Sequence, residues 1–318
     1  MNSSDQVEQY VTLFDSNFLP VGMALHASLV KHGSPFHLWI ICMDELVEEQ
    51  LTKISLPRVT LLPLREVETE ELLEVKSGRN SREYCWTLTP FSFQAVFLRD
   101  ESIQRVTYLD ADLFFFADPR ILLQELDDAN KYVLITEHAF APEHHRFLAT
   151  SGRFCVQFLS FRRSVEGARV MRWWQERCLE WCFDIIEEKR FGDQKYLDLW
   201  PELFTSEVHI LRQTEKSLAP WNVKHQEETN RGELEPVFYH FQGLRITGAH
   251  RVQLHNENYT VGRGGHRLYD EYLAELRRCI TTLRRFGIAL PLLEGYLTIK
   301  GKLLALVGRT PCIVRLPD

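Results

Sequence analysis

Residues 105–119, RVTYLDADLFFFADP, are the most informative stretch of the chain, because an apolar run ends there in two aspartates, Asp110 and Asp112. Residues 106–109 have the composition of a strand buried on both faces, which places the aspartates at the strand's C-terminal end. Ligands of open α/β sheets bind at that edge. We therefore expect the two aspartates to lie in a binding site.

The spacing of the two aspartates predicts a metal site. Residues two apart in an extended chain project to the same side, and two carboxylates that face together repel each other unless a cation lies between them. Mg²⁺ and Mn²⁺ take such oxygen ligands and bind diphosphates beside them. A pair of solvated loop acids is the alternative, but a solvated loop would not need the bulky apolar residues 113–116 that follow.

The order of the remaining patterns predicts an α/β fold with a mostly parallel central sheet that is flanked by helices. Strand-like runs cover residues 10–14, 37–43, 59–63 and 131–136, and helical patterns cover residues 20–32 and about 90–99. In the second half, residues 165–190 have a long helical pattern, and residues 208–211 and 237–241 are strand-like.

Composition and charge restrict the class of protein. The chain has 318 residues, of which 45% are hydrophobic and 25% charged, and this excludes a disordered chain, a collagen-like repeat and a disulfide-stapled miniprotein. The net charge of -7 speaks against a general nucleic-acid binder. Seven cysteines without paired short spacings indicate reduced thiols. With no secretory signal and no apolar run of about 18 residues, we expect a cytoplasmic protein.

Four blocks of the chain resemble glycosyltransferases of the GT-A fold, most closely the galactosyltransferase-like family 8 and related bacterial sugar transferases. The blocks occur in the family order and are LFDSNFLPVGMALHASL (13–29), YLDADLFFFADP (108–119), FGDQKYLDLWP (191–201) and YHFQGLR (239–245). The resemblance spans about residues 10–245. It implies a Rossmann-like, nucleotide-sugar-binding GT-A domain over residues 1–265, followed by a basic helical segment over residues 266–318.

The resemblance also implies roles for individual residues. The implied metal ligands are Asp110, Asp112 and His240. The implied nucleotide-sugar contacts are Asp15, Asn17, Asp110, Gly243 and Arg245. The implied catalytic residues, beside the donor sugar and its anomeric carbon, are Asp193 and Gln194.

Simpler interpretations stay open for several of these positions. Asp15 would also suit an Asx turn that caps the following helix, and Asp193 would suit a helix N-cap. His240 would also suit an ordinary buried histidine. Glu137 and His138, which follow the run at 131–136, are either a base or acceptor-site pair or plain loop residues.

The activity that the resemblance implies is a metal-dependent transfer, with Mn²⁺ or Mg²⁺, of a sugar from a UDP-sugar to a hydroxyl acceptor with retention. The acceptor would be a glycan, a lipid-linked saccharide or another hydroxyl compound. The alternative is a catalytically inactive protein of the same fold that binds nucleotide sugars or glycans, because Cys155 stands where the family usually has Asn and the family's Lys-Pro-Trp after Gly243 is missing. A haloacid-dehalogenase-type phosphatase fits less well, since its paired aspartates lie near the N-terminus.

The C-terminal residues 266–318 differ in charge from the rest of the chain. They contain nine Lys or Arg against five Asp or Glu, a net charge of about +4, and the basic residues alternate with aliphatic ones, as in residues 299–307. Such a segment is typical of peripheral contact with an anionic membrane, here at the inner face. A solvated helix that packs on the domain is the other interpretation.

Overall fold

The computed structural model describes residues 7–295 and 312–316. The strands in this part of the chain are β1 (Glu8–Phe14), β2 (Phe36–Cys42), β3 (Val59–Pro63), β4 (Arg105–Leu109), β5 (Leu113–Phe115), β6 (Val133–Glu137), β7 (Phe154–Arg162), β8 (Val208–Ile210), β9 (Ser217–Leu218), β10 (Phe238–His240), β11 (Arg245–Gly248), β12 (Arg251–Gln253) and β13 (Ile313–Arg315). The helices are α1 (Leu19–His32), α2 (Glu45–Ile54), α3 (Glu70–Lys76), α4 (Ser81–Arg99), α5 (Arg120–Ala129), α6 (Phe147–Ser151), α7 (Val165–Glu180), α8 (Trp200–Leu203), α9 (Val223–Thr229) and α10 (Gly262–Arg285).

The central sheet has seven strands in the order β3-β2-β1-β4-β7-β6-β8. Every neighbouring pair is parallel except the two pairs that involve β7. Helices pack on the sheet, and β1, β4 and β6 are almost continuously buried because both of their faces are covered. The predicted α/β architecture with a mostly parallel, helix-flanked sheet is therefore confirmed.

The antiparallel strand β7 was not predicted. It lies between β4 and β6, and eight of its nine residues are buried. Its polar residues are satisfied inside the sheet: Ser160 forms a 2.9 Å hydrogen bond with the Thr107 hydroxyl of β4. The strand therefore forms one wall of the region that follows the end of β4.

A smaller sheet joins two distant parts of the chain, in the order β5-β10-β9. Strand β5, directly after the two aspartates, pairs antiparallel with β10, and His240 lies opposite Leu113. The N–H of Phe241 donates to the Asp112 carbonyl at 2.9 Å. This pairing brings His240 to the C-terminal end of β4.

Two helix boundaries differ from the predicted ones. Helix α4 begins at Ser81 rather than near Pro90, because Asn80 and Glu83 form a capping box about two and a half turns earlier and Pro90 is accommodated inside the helix. Helix α7 ends at Glu180 rather than at residue 190. The Arg79 guanidinium donates to the Cys178 and Leu179 carbonyls of its last turn and to the Cys182 carbonyl just beyond it.

Helix α10 buries its apolar face against the domain. It packs on α1 and α9, with Tyr269, Tyr272 and Leu276 buried, while Arg284 and Arg285 are exposed. Strand β13 returns to pair with β12. The basic run at 299–307 lies outside the described residues, and the division at residue 265 stays a prediction. In the described ranges, helices are either too short or too polar to cross a membrane.

Candidate functional site

Asp110, Asp112 and His240 form one cluster at the C-terminal end of β4. His240 Nε2 lies 3.0 Å from Asp112 Oδ1 and 3.6 Å from Asp110 Oδ2. One ligand atom from each of the three residues falls within 4.8 Å of the others. His240 is buried, whereas the side chains of Asp110 and Asp112 stay 29% and 17% exposed, so the cluster opens to solvent on the carboxylate side.

Neighbouring side chains hold the two ends of this cluster in place. The Tyr108 hydroxyl donates to Asp110 Oδ1 at 3.0 Å. The His240 ring contacts Gln157 Oε1 through Nδ1 at 2.6 Å and meets the edge of Trp221 at a centroid distance of 5.5 Å. The ligand atoms are therefore held in place before any ion arrives.

Burial and the proximity of two carboxylates and an imidazole shift the pKa of all three side chains of the cluster. Burial raises the pKa of Asp110 to about 6, and the Asp112 carboxylate adds to the rise although His240 opposes it. Burial would also raise the pKa of Asp112, but the His240 ring next to it and Arg245 lower it. Burial opposes protonation of His240, yet Asp112 and Asp110 raise the pKa of its ring well above the usual range.

The donor set fits a hard divalent cation. Carboxylate oxygens and one imidazole nitrogen are the ligands that Mn²⁺ and Mg²⁺ accept in proteins. A cation at this point would replace the proton on His240 and relieve the repulsion between the two carboxylates. The residues that would hold it are Asp110, Asp112 and His240.

Asp193 lies close to the cluster but belongs to another segment. Its side chain is buried, and burial together with the Asp110 charge raises its pKa to about 8, although Thr89 and the N–H of Gln194 act in the other direction. The Gln194 amide donates to the Ser151 carbonyl at 2.7 Å. Asp193 therefore faces the cluster, and Gln194 joins this segment to the C-terminal end of α6.

The loop after β1 forms an Asx turn at Asp15, but this turn caps the 3-10 turn Ser16–Phe18 and not α1, which has no side-chain cap. Asp15 Oδ1 accepts from the backbone N–H groups of Asn17 and Phe18, and Asp15 Oδ2 accepts from the Asn17 side chain at 3.0 Å. Asp15 and Asp193 both raise the pKa of the Cys85 thiol, after the larger effect of burial, to about 12. Both carboxylates therefore lie near the same point of α4, on the side of the cluster.

Gly243 and Arg245 border the cluster on the other side. Gly243 has φ +83°, and a Cβ there would lie 3.3 Å from the backbone nitrogen of Asn256, so the position suits glycine alone. The Arg245 guanidinium lies 5.2 Å from the centre of the Phe18 ring and lowers the pKa of Asp112. Arg245 thus connects the loop after β1 with the carboxylates.

An open cleft of about 400 Å³ lies beyond the end of β6. Its lining residues are Glu137, Ala139, Phe140, His145, Leu148, Arg153 and Asp198. Arg153 donates to Glu137 at 2.8 Å through Nε, and Asp198 accepts from the Arg153 N–H. The cleft combines charged groups with an aromatic wall.

Two residues near this cleft, His138 and Asn222, are buried in packing and hydrogen-bond contacts with the protein. His138 is buried and stacked on Phe140, and burial lowers the pKa of its ring to about 3, so it carries no charge near neutral pH. The buried Asn222 donates to the His138 carbonyl at 3.2 Å and accepts from the Ala219 N–H. Of the alternative acceptor residues, Glu137 is the one that reaches the cleft.

Three neighbours of the site were not found from the sequence: Tyr108, Thr89 and Gln157. The contact of Tyr108 with Asp110 could have been predicted, because Tyr108 lies two residues before Asp110 on the same face of the strand. The contact of Gln157 could not, since its partner His240 is 83 residues away.

Comparison with known proteins defines the relatives of the chain. No protein-family model matches it. The chain is 34% identical over 286 residues to the uncharacterized protein YfnF of Bacillus subtilis, covering 86% of this chain and 94% of YfnF. It is 32% identical over 232 residues to the uncharacterized protein YfnD of the same organism, covering 70% of this chain and 74% of YfnD.

Two solved structures share the architecture. The galactosyltransferase LgtC, in complex with donor and acceptor sugar analogues, superposes with a TM-score of 0.51 at 13% identity, covering 85% of this chain and 95% of LgtC. The glycosyltransferase GlyE of Streptococcus pneumoniae gives a TM-score of 0.50 at 15% identity, covering 92% of this chain and 67% of GlyE. The chain belongs to the family of YfnF and YfnD, and it has the GT-A fold of the galactosyltransferase-like family 8 enzymes.

Proposed function

We propose that the protein is a glycosyltransferase that moves a sugar from a nucleotide sugar, a UDP-sugar in the first instance, to a hydroxyl acceptor with the help of Mn²⁺ or Mg²⁺. The observation that carries the proposal is the convergence of Asp110, Asp112 and His240 within 4.8 Å at the end of β4. The GT-A fold supports it, because this edge of an open α/β sheet is where nucleotides bind.

The donor would lie across the cluster. Asp15 and Asn17 would contact the base, Asp110 the ribose, and the backbone of Gly243 would allow a phosphate to approach closely. Arg245 would add a positive charge beside the diphosphate. When bound, a divalent cation would neutralise the charge that develops on the diphosphate leaving group.

Asp193 and Gln194 are the proposed contacts of the donor sugar. Asp193 reaches the cluster from the segment that follows α7, and its carboxyl would hold a sugar hydroxyl close to the anomeric carbon. Gln194 would position the same segment through Ser151. Retention at the anomeric carbon is the outcome that the family resemblance favours, and proton NMR of the first product formed would show it.

The cleft beyond β6 is the proposed acceptor side. The Glu137–Arg153 pair offers hydrogen bonds to sugar hydroxyls, and Phe140 offers an apolar wall. A glycan or a lipid-linked saccharide would suit it, and the exposed Arg284 and Arg285 of α10 would attract anionic headgroups near a lipid-linked acceptor. Cosedimentation with vesicles, with and without anionic lipid, tests the membrane contact directly.

A second candidate is a protein of this fold that binds nucleotide sugars without turnover. Cys155 supports it, because its buried thiol lies beside His240 and cannot form the paired hydrogen bonds of the amide that family 8 usually has there. This candidate predicts tight UDP binding with no product.

One experiment separates the two candidates. Hydrolysis of UDP- and GDP-sugars is measured with Mn²⁺ present, and UDP binding is measured in parallel by calorimetry. A transferase releases the nucleoside diphosphate, UDP or GDP, from at least one donor, and Asp112→Ala removes that release. Binding without release across all donors supports the inactive protein, and neither binding nor release rejects both.

A further inference from the structure

Gln157 is a buried polar side chain that touches both halves of the cluster. It lies in β7 with 1% of its surface exposed, between the buried residues Val156 and Phe158. Its backbone oxygen accepts from the Asp110 N–H at 2.9 Å, and its side-chain Oε1 lies 2.6 Å from His240 Nδ1. Burying an amide costs free energy unless it is hydrogen-bonded, so this position in a core strand needs a reason.

The contact between Gln157 and His240 places a proton on Nδ1, whether or not Nε2 also carries one. An amide oxygen only accepts hydrogen bonds, so Nδ1 must be the donor. The other nitrogen, Nε2, then faces Asp112 and Asp110 at 3.0 and 3.6 Å. A metal-binding histidine characteristically donates its second N–H to such an acceptor, which sets the ring's tautomer and orientation.

The surroundings leave the ring little choice of another orientation. Trp221 meets it at a centroid distance of 5.5 Å with an interplanar angle of 82°. Cys155, two residues before Gln157 on the same strand, also lies beside the ring, but a thiol is a weak hydrogen-bond partner. Gln157 is therefore the strong partner of the nitrogen that turns away from the carboxylates.

We propose that Gln157 is a positioning residue of the metal site: its backbone holds the start of the Asp110–Asp112 turn, and its side chain holds His240 with Nε2 available to the ion. The inference rests on the proposed function only in naming a divalent cation as the ligand of the cluster. The hydrogen bond itself belongs to the protein without any ion.

The test uses the full-length protein and three variants. Gln157→Leu removes the acceptor oxygen, Gln157→Glu keeps one, and Gln175→Leu is the control. Gln175 is also buried, and its amide donates to the Pro90 carbonyl and to Gln94, neither of which belongs to the cluster. Affinity for Mn²⁺ alone, without nucleotide, is measured from the paramagnetic resonance signal of free Mn²⁺.

We expect Gln157→Leu to weaken Mn²⁺ binding by about 10- to 100-fold. Gln157→Glu should keep most of the wild-type affinity, and Gln175→Leu should leave the affinity unchanged. Equal affinities in the wild type and Gln157→Leu would overturn the inference. Equal losses in Gln157→Leu and Gln175→Leu would also overturn it, since they indicate general destabilisation.

Nuclear magnetic resonance of protein labelled with ¹⁵N-histidine gives a readout that needs no metal. In the wild type the Nδ1 proton of His240 should be visible and slow to exchange, and in Gln157→Leu it should exchange rapidly. A wild-type ring without a protected Nδ1 proton would refute the inference even if Gln157→Leu failed to fold. If the wild type failed to bind Mn²⁺, the metal in the proposed function would be rejected. The exchange rate of the His240 Nδ1 proton would then still show whether Gln157 positions the ring.

Discussion

Acidic side chains are neutralised by guanidinium groups at the N-terminal end of strand β4 but only partly neutralised at its C-terminal end. At its N-terminal end, Arg105 contacts Glu8 and Asp127, each at 2.7 Å, and Arg162 contacts the same Asp127. Arg105 and Glu8 are both about nine-tenths buried. Each acid at this end has a guanidinium partner, so the charges balance inside the protein.

At its C-terminal end, β4 delivers acids that are not balanced in this way. Asp110 and Asp112 share one contacting imidazole, Arg245 also lowers the pKa of Asp112, and burial and mutual repulsion raise the pKa of Asp110. Asp193 nearby has its pKa raised to about 8. The comparison shows how to separate a structural ion-pair network from a ligand site on one strand, because under-neutralised acids attract a cation.

The largest expected effect comes from removing a ligand. Asp112→Asn should lower Mn²⁺-dependent turnover on the order of 10³-fold, because the site loses a charged ligand that opposes the leaving-group charge. The measurement is release of UDP from a donor sugar. Asp127→Asn, at the opposite end of the sheet, is the matched control and should keep the wild-type rate. Comparable losses in both variants would remove the distinction between the two ends.

Breaking the balanced end should change stability instead of activity. Arg105→Met leaves the buried Glu8 carboxylate without its nearest partner and should lower the free energy of unfolding by about 3 kcal/mol. Urea unfolding measures this loss, and Mn²⁺ affinity of the folded variant should match the wild type. A stable Arg105→Met protein that has lost Mn²⁺ binding would contradict a purely structural role for the ion pairs at the N-terminal end of β4.

The pH dependence of the free energy of unfolding tests the C-terminal end of β4, near which Asp193 lies. Without metal, folded Asp193 keeps its proton up to about pH 8, whereas an unfolded aspartate loses it near pH 4, so the free energy of unfolding should fall as pH rises between these values. Asp193→Asn removes this contribution. Its melting temperature in a chelator should be higher relative to the wild type at pH 8 than at pH 5, by a few degrees. The same difference at both pH values would show that Asp193 is not buried with its proton.

The smallest expected effect concerns the cleft beyond β6. Glu137→Gln breaks a partly exposed ion pair with Arg153 and should raise the KM for the acceptor about threefold, with little change in donor hydrolysis. Steady-state kinetics over a range of acceptor concentrations measure it. An equal change in donor hydrolysis would place Glu137 on the donor side.

The sequence predicted the part of the fold that local patterns encode. The apolar run before Asp110 and the alternating strands and helices were enough for the parallel sheet. Strand β7 was missed because Gln157 and Ser160 interrupt its apolar pattern, and both find partners on strands that are distant in the sequence. Long-range pairing of polar side chains leaves no local signal.

The same limit applies to the site. The metal cluster was predicted residue by residue from the family resemblance, and the structure brings its three members together. The loop at Asp15 forms the predicted Asx turn, although this turn caps a 3-10 turn and not α1. The roles of Asp15, Asp193 and Gln194 towards a nucleotide sugar stay predictions. Gln157 was beyond prediction, because a glutamine in a strand shows its purpose only when His240 is placed opposite it.

The most direct measurement is a crystal of the protein grown with Mn²⁺ and UDP, with diffraction recorded at the manganese absorption edge. We expect one anomalous peak within bonding distance of Asp110, Asp112 and His240 Nε2, with the diphosphate beside Gly243. A His240 ring turned away from the carboxylates, with manganese bound elsewhere or not at all, would contradict this expectation.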